Sequence, residues 1–193
     1  MHTSSGNTIL TATGNYFCFD SPETSEFGIE DIAHALSRIC RFTGHCREFY
    51  SVAQHCVYVS EIVPVQHALG GLLHDGAEAF LGDVSKPLKQ LLPDYRKLEE
   101  AVEQAVLSRF GIGSLHPCIK AADMVLLATE QRDLMPPHGD KWPCLEGHAP
   151  LPWTIHPFSP RNAKEMFLRR FREITAPGFG FLQPGARVDW EDL

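Results

Sequence analysis

Apolar residues recur at helical spacing through most of this chain. Ile29, Ile32, Ala33, Leu36 and Ile39 form one stripe, which predicts a helix over about 29–39, with His34 between stripe positions and read as structural. Ser51 with Gln54 three residues on is a capping-box signature, so a second helix starts there, presents His55 one turn in and is closed by Pro64. Leu69, Leu72, Leu73 and Ala77 predict a third helix running through 72–80. Residues 82–85 read as a turn, and Pro87 suits the first turn of a short helix. Asp94 is the expected cap of a long amphipathic helix ending at Phe110, with Gly111 as its stop and its charged residues as a solvated face. His116-Pro117 opens a helix bearing Asp123 and Glu130, and a last helix spans about 160–174.

The remaining stretches break this rhythm. Residues 1–8 read as a loose terminus, and 11–19, with a Gly14-Asn15 turn signal and an aromatic run, as a small hairpin. Residues 136–160 hold seven of the fourteen prolines together with Trp142 and Trp153. Such a stretch is neither a long helix nor a central strand, and two tryptophans argue for an ordered loop covering the body. The tail from Ala176 is punctuated by Gly and Pro and carries no pattern. The expectation is an all-α fold, one domain over 1–193 with its core at about 29–135, a small N-terminal hairpin and a Pro-rich covering loop.

Composition narrows the function classes. Apolar residues are 44% and charged ones 21%, ordinary for a globular chain, and the formal charge is −7. No basic cluster is present, which disfavours duplex nucleic acid, where affinity comes from neutralising phosphates. Arg161, Lys164, Arg169, Arg170 and Arg172 make a local basic face, read as solvated or as a subunit contact. No signal peptide or membrane-length apolar run is found, so a cytoplasmic protein without a membrane partner is expected. Six cysteines lack any CxxC pairing and read as reduced thiols. The alternative, a structural zinc site using Cys40, His45, Cys46 or Cys56, matches no common finger spacing.

The chemistry concentrates at His74-Asp75, set in an apolar run with Glu78 following. Such a pair is expensive to bury uncompensated, and a divalent cation would compensate it, since neutral imidazole and carboxylate are usual ligands. A half-exposed helix with its polar residues in water is the plain alternative. Upstream stands SVAQH ending at His55, and downstream KAAD ending at Asp123, each placing one ligand-type residue in an apolar helical pattern.

The ordered set His55, His74-Asp75 and Asp123 resembles the motif of the HD-domain phosphohydrolase superfamily. Arg41-Phe42, the YSVAQH run, HDGAE, Gly82-Asp83, Pro87-Leu88-Lys89 and KAAD occur in the order of its 5′-deoxynucleotidase-like branch, over about residues 30 to 135. The resemblance implies an HD-domain helical bundle holding one divalent metal through His55, His74, Asp75 and Asp123. Two imidazoles and two carboxylates suit cobalt, manganese, zinc, iron or nickel better than magnesium. It further implies Arg41 and Lys89 as phosphate contacts and Phe42 as a surface for a base, core packing being the other reading of Phe42. Glu78 and Asp83 would orient water, move a proton or hold the sugar. The implied activity is cleavage of the 5′ phosphate ester of a small 2′-deoxynucleotide. Either a dNMP loses phosphate or a dNTP (dATP included) loses triphosphate, with a slight lean to the latter because the short chain resembles phage-type relatives. A catalytically silent HD module that binds nucleotide as a regulator is the competing class; a (p)ppGpp hydrolase or cyclic-dinucleotide phosphodiesterase fits less well. Homo-oligomerisation is expected, with apolar surface on the 95–110 helix and the Pro-rich segment as its basis.

Overall fold

The fold is organised around one helix that has almost no surface. In the computed structural model, which describes residues 6–140 and 142–179, helix α2 (Val52–Ile62) is buried without interruption from Val52 to Ser60. Helices α1 (Ile29–Leu36), α3 (Ala68–Leu73), α7 (Pro117–Leu134) and α8 (Pro160–Thr175) pack around it. Shorter segments α4 (Glu78–Leu81) and α5 (Lys86–Lys89) and the long α6 (Pro93–Arg109) complete eight α-helical segments among the described residues. The fold is mostly helical, as the periodicity predicts. No helix among the described residues is long and apolar enough to cross a membrane.

Two apolar clusters meet at α2. Val52, Ala53, Cys56 and Val57 face one that includes Ile32, Leu36, Leu72, Leu73, Val106 and Phe167. Tyr58, Val59 and Val63 face the other, with Ile119, Ala122, Leu126 and Ile155. Helices α2 and α3 approach closely because Gly71 faces the α2 backbone, where a Cβ would stand 3.0 Å from Ser60 Cα.

The expected helix through 72–80 is broken. Helix α3 ends at Leu73, residues 74–77 form a turn, and α4 begins at Glu78. Gly76 donates to Leu73 O at 2.9 Å, and a Cβ on it would lie 2.8 Å from Val106 Cγ1, so the turn seats against α6 only with glycine there. The break turns His74 and Asp75 out of the helical cylinder. Helix α1 stops at Leu36 rather than at Ile39, because Ile39 and Cys40 bridge to the chain entering α2 (Val52 N to Ile39 O, 3.0 Å).

Ser51 caps α2 by accepting from Gln54 N at 3.2 Å, but the capping box is only half made. The Gln54 side chain instead donates to Tyr58 Oη and to His156 O, and accepts from Phe158 N. It thereby ties the Pro-rich segment to the buried helix. That segment is irregular, with one 3-10 turn at Pro143–Leu145, and Arg132 and Asp133 of α7 bond its backbone at Leu151, Trp153 and Ile155. Asp94 lies inside the first turn of α6, not at its cap, which is Leu92. Helix α8 matches expectation, and its basic side chains are partly engaged: Lys164 pairs with Glu30 at 3.1 Å, and Arg170 bonds Ser60 Oγ and O.

The hairpin forms, starting earlier than expected. Strands β1 (Thr8–Leu10) and β2 (Tyr16–Cys18) pair antiparallel with Ile9 opposite Phe17, so Thr8 of the supposed loose terminus is in a strand. Residues 1–5, and the tail from 180 onward, lie outside the described residues. Phe17 is fully buried and stacks on Phe80 of α4, with ring centroids 3.9 Å apart. The turn is pinned by Asp31, whose carboxylate accepts from Thr13 N, Thr13 Oγ1 and Gly28 N. Asp31→Ala strands these donors, and hydrogen bonds to a charged group contribute about 1.5–3 kcal/mol. Chemical denaturation should show a loss in that range, with Asp31→Asn keeping part of it.

Candidate metal centre

Each donor of the site arrives from a different piece of backbone. His55 projects from α2 and is fully buried. His74 and Asp75 sit on the turn between α3 and α4, and Asp123 lies two turns into α7. Their polar atoms converge: His55 Nε2 is 3.3 Å from His74 Nε2, 3.3 Å from Asp123 Oδ1 and 3.6 Å from Asp75 Oδ2. His74 Nε2 is 3.3 Å from Asp75 Oδ2. Donor atoms of His55, His74 and Asp75 all lie within 4.8 Å of one another, the spacing of ligands around one ion.

The other ring nitrogens fix the tautomers. His74 Nδ1 donates to Gly71 O at 2.8 Å, and His55 Nδ1 donates to Glu130 Oε1 at 2.6 Å. Both imidazoles therefore turn Nε2 toward the same point, where Asp75 also points, and Asp123 approaches from the His55 side with Oδ1 3.3 Å from Nε2. Two lone pairs at 3.3 Å repel unless a cation or a proton stands between them, so this donor set fits a divalent ion.

Burial and Arg41 both oppose a charged His55, but Glu130 and Asp123 outweigh them and lift its pKa from 6.5 to about 9. Burial would raise Asp75 and Asp123, yet the histidines and Arg41 hold both below the usual carboxylate range. Glu130 is buried too, and Arg41 and His55 keep it ionised. Glu78 goes the other way: burial, then Asp75 and Asp83, push its carboxyl well above the ordinary value, and its Oε2 is buried with no hydrogen-bond partner. Burial and Asp75 likewise raise Asp83.

A cavity of about 340 Å³ opens beside the cluster, lined by His74, Asp75, Glu78, Lys89, Asp123 and, beyond them, α6 and the start of α7. Lys89 reaches it as expected, but its Nζ is held by Glu99 and lies 3.8 Å from Glu78. Arg41 and Phe42 do not line it. Arg41 sits behind the ligands, with Nε and Nη2 on Glu130 Oε2 at 3.2 and 3.0 Å and Nη1 on Asp75 Oδ2 at 3.5 Å. Phe42 packs near Trp142 of the Pro-rich segment, centroids 5.9 Å apart. The zinc alternative does not assemble: Cys40 and Cys46 meet at 3.5 Å, but neither His45 nor Cys56 joins them in a ligand group among the described residues.

Four contributors carried no assigned role in the sequence. Glu130 lies seven residues after Asp123, two turns along the same helix face, and that spacing was its signal. Lys120, three residues before Asp123, binds its Oδ2 at 2.6 Å. Glu99 and Glu103 of α6 line the cavity rather than a solvated face, which corrects the reading of that helix.

Comparison with known proteins adds kinship without a function. No family model matches the chain. It is 41% identical over 169 residues to the uncharacterized protein YfdR of Escherichia coli (strain K12), covering 86% of this chain and 95% of that protein. It is 34% identical over 128 residues to the uncharacterized protein RCAP_rcc00048 of Rhodobacter capsulatus, covering 58% of this chain and 65% of that protein. The molecule is thus a mostly helical protein with a buried His/Asp cluster. The chain belongs to the family of YfdR.

Two outcomes follow for the centre. Glu130→Gln leaves the His55 ring poorly oriented and should weaken divalent-metal affinity about 10–100-fold, read by chelator competition. Glu130 and Asp123 favour a protonated His55, its pKa lifted to about 9, so metal and proton compete; affinity should rise with pH up to that point, with proton release on loading. An affinity flat between pH 6 and 9 contradicts this.

Proposed function

We propose that this protein is an HD-domain, metal-dependent phosphohydrolase that cleaves the 5′ phosphate ester of a small 2′-deoxynucleotide. The observation that carries the reading is the convergence of His55, His74, Asp75 and Asp123, the last three of which line a cavity of about 340 Å³. A divalent transition ion supplies Lewis acidity toward a phosphoryl oxygen and an acidified water at such a site.

The chain's own groups divide the remaining work. His55, His74, Asp75 and Asp123 hold the ion; Glu130 and Arg41 hold His55 and Asp75. Lys89 and Lys120 are cations on the cavity wall that would exchange Glu99 and Asp123 for the phosphate oxygens. Glu78, its carboxyl pushed up by burial and by Asp75 and Asp83, lines the cavity and is the candidate to hand a proton to the departing 5′ oxygen, with Asp83 as its neighbour. Phe42 stays a second candidate for base contact, through its side of the Pro-rich segment.

Charge balance bears on the leaving group. Asp75, Glu78, Glu99, Glu103 and Asp123 line the cavity against Lys89 and Lys120. With one divalent ion added, a monophosphate is easier to accommodate beside these carboxylates than a triphosphate, whose extra charge has no partner in the cavity wall. This supports a dNMP as the first substrate to test, against the lean that chain size gives.

The test is turnover of a dNMP and dNTP panel with cobalt, manganese or zinc, separating phosphate, pyrophosphate and triphosphate among the products. Phosphate from dNMPs is expected, with a preference over ribonucleotides of no more than about a hundredfold, because a packing pocket rejects one hydroxyl only weakly. Asp75→Ala should lose both metal and turnover. Full metal content with no product from any nucleotide would instead favour the silent binding module.

We also propose self-association. Its surface is not on α6, whose Val102, Ala105, Val106 and Leu107 are buried, but on Leu88, Leu91 and Leu92, which are exposed beside the cavity. Sedimentation should show a species heavier than 21.6 kDa, and Leu91→Asp should reduce it.

A further inference from the structure

A second group of metal-type donors includes His116, which lines the same cavity. His67 ends the 3-10 turn Val65–His67 that leads into α3, His116 is the N-cap of α7, and Cys118 follows two residues later. One donor atom from each of the three lies within 4.8 Å of the others. Neither the HD resemblance nor the reaction proposed above uses any of them.

We propose that His67, His116 and Cys118 form a second transition-metal site, selective for a borderline or soft ion such as zinc, which reaches the cavity through His116. Two imidazoles and a thiolate are a donor set that zinc takes readily, with a fourth position left for water or a substrate atom. Sulfur also separates this site from the first, because thiolate selects against magnesium and manganese, which oxygen donors suit. Loading sends the Cys118 thiol proton to solvent, and the thiolate's charge offsets the positive end of α7, which otherwise opposes a cation there.

Local structure points the same way. Ser, Thr, Asp and Asn are the preferred helix caps, and histidine is not among them. Yet His116 caps α7 through Nδ1, accepting from Cys118 N at 3.2 Å, with Pro117 fixing the next backbone step. Its ring lies against His67, centroids 4.1 Å apart and planes 14° from parallel. A metal lies in the plane of the imidazole it binds, so two stacked rings cannot both reach one ion without a turn. His116 is exposed and free to make that turn, exchanging its cap bond for a metal bond.

The position gives the site a consequence. His67 leads into α3, which delivers His74, and His116 begins α7, which delivers Asp123. His116 lines the cavity along with His74, Asp75 and Asp123. An ion here braces the two helices that lead to His74 and carry Asp123.

Cobalt(II) titration of the full-length protein tests this independently of the phosphohydrolase reading, because only this site contains sulfur. A near-ultraviolet sulfur-to-cobalt charge-transfer band should grow and saturate by two equivalents, the capacity of both sites. It should vanish in Cys118→Ser and in His116→Asn, the latter keeping a helix cap while removing the imidazole. Elemental analysis should fall from two ions per chain to one in both variants. In Asp75→Ala the band should persist while the other ion is lost. A wild-type titration without the band, or a band undiminished in Cys118→Ser, overturns the proposal and leaves the His55 centre untouched.

Discussion

The bond from His55 Nδ1 to Glu130 Oε1 is the contact on which the rest of the site depends. Both side chains have no solvent exposure, and their heavy atoms are 2.6 Å apart. A polar group in the middle of a nine-residue buried run cannot fall back on water, so its partner must come from the protein. Glu130 answers His55, and Arg41 answers Glu130. Removing one partner of such a buried charged set costs about 3–5 kcal/mol, while the intact set adds little net stability. We read the network as placing one imidazole nitrogen where an ion can use it, not as a stabilising device.

The strap that carries Arg41 shows what that placement demands. Residues 40 and 51 bridge, Arg41 N donates to Tyr50 O, and between them Phe42, Thr43 and Gly44 all take positive φ, at 56°, 53° and 80°. Left-handed backbone at two non-glycine residues is a strain of about 1–3 kcal/mol each, held only where the surroundings fix it. Gly44 N to Arg41 O and His45 N to Phe42 O close the turn. The strained turn directs the guanidinium inward under Asp75 and the Phe42 ring outward toward Trp142.

Much of the fold was legible because its helices are amphipathic and capped: α2, α7 and α8 begin where Ser51, His116 and Ser159-Pro160 place them. The break at His74 was not, since Leu69, Leu72, Leu73 and Ala77 keep the same spacing whether one helix or two short ones carry them. Only Gly76 hinted at the turn. Gln54 read as half of a capping box, but a tertiary partner, the backbone at 156–158, won its side chain. The four metal-type residues were legible as an ordered motif, whereas their supports were not. Arg41 looked like a phosphate contact because a sequence shows that a cation is near, not which side of the ligands it stands on. Glu99 and Glu103 looked solvated because α6 also has a genuinely exposed face.

The central claim is that His55, His74, Asp75 and Asp123 hold one ion. It is tested most directly by anomalous diffraction from crystals loaded with cobalt or zinc. The account predicts a peak about 2.0–2.2 Å from His55 Nε2, His74 Nε2 and one oxygen of each carboxylate, with both Nδ1 bonds unchanged. Loaded crystals with no density among these four side chains, or with His55 Nε2 turned away from the ion, would contradict it.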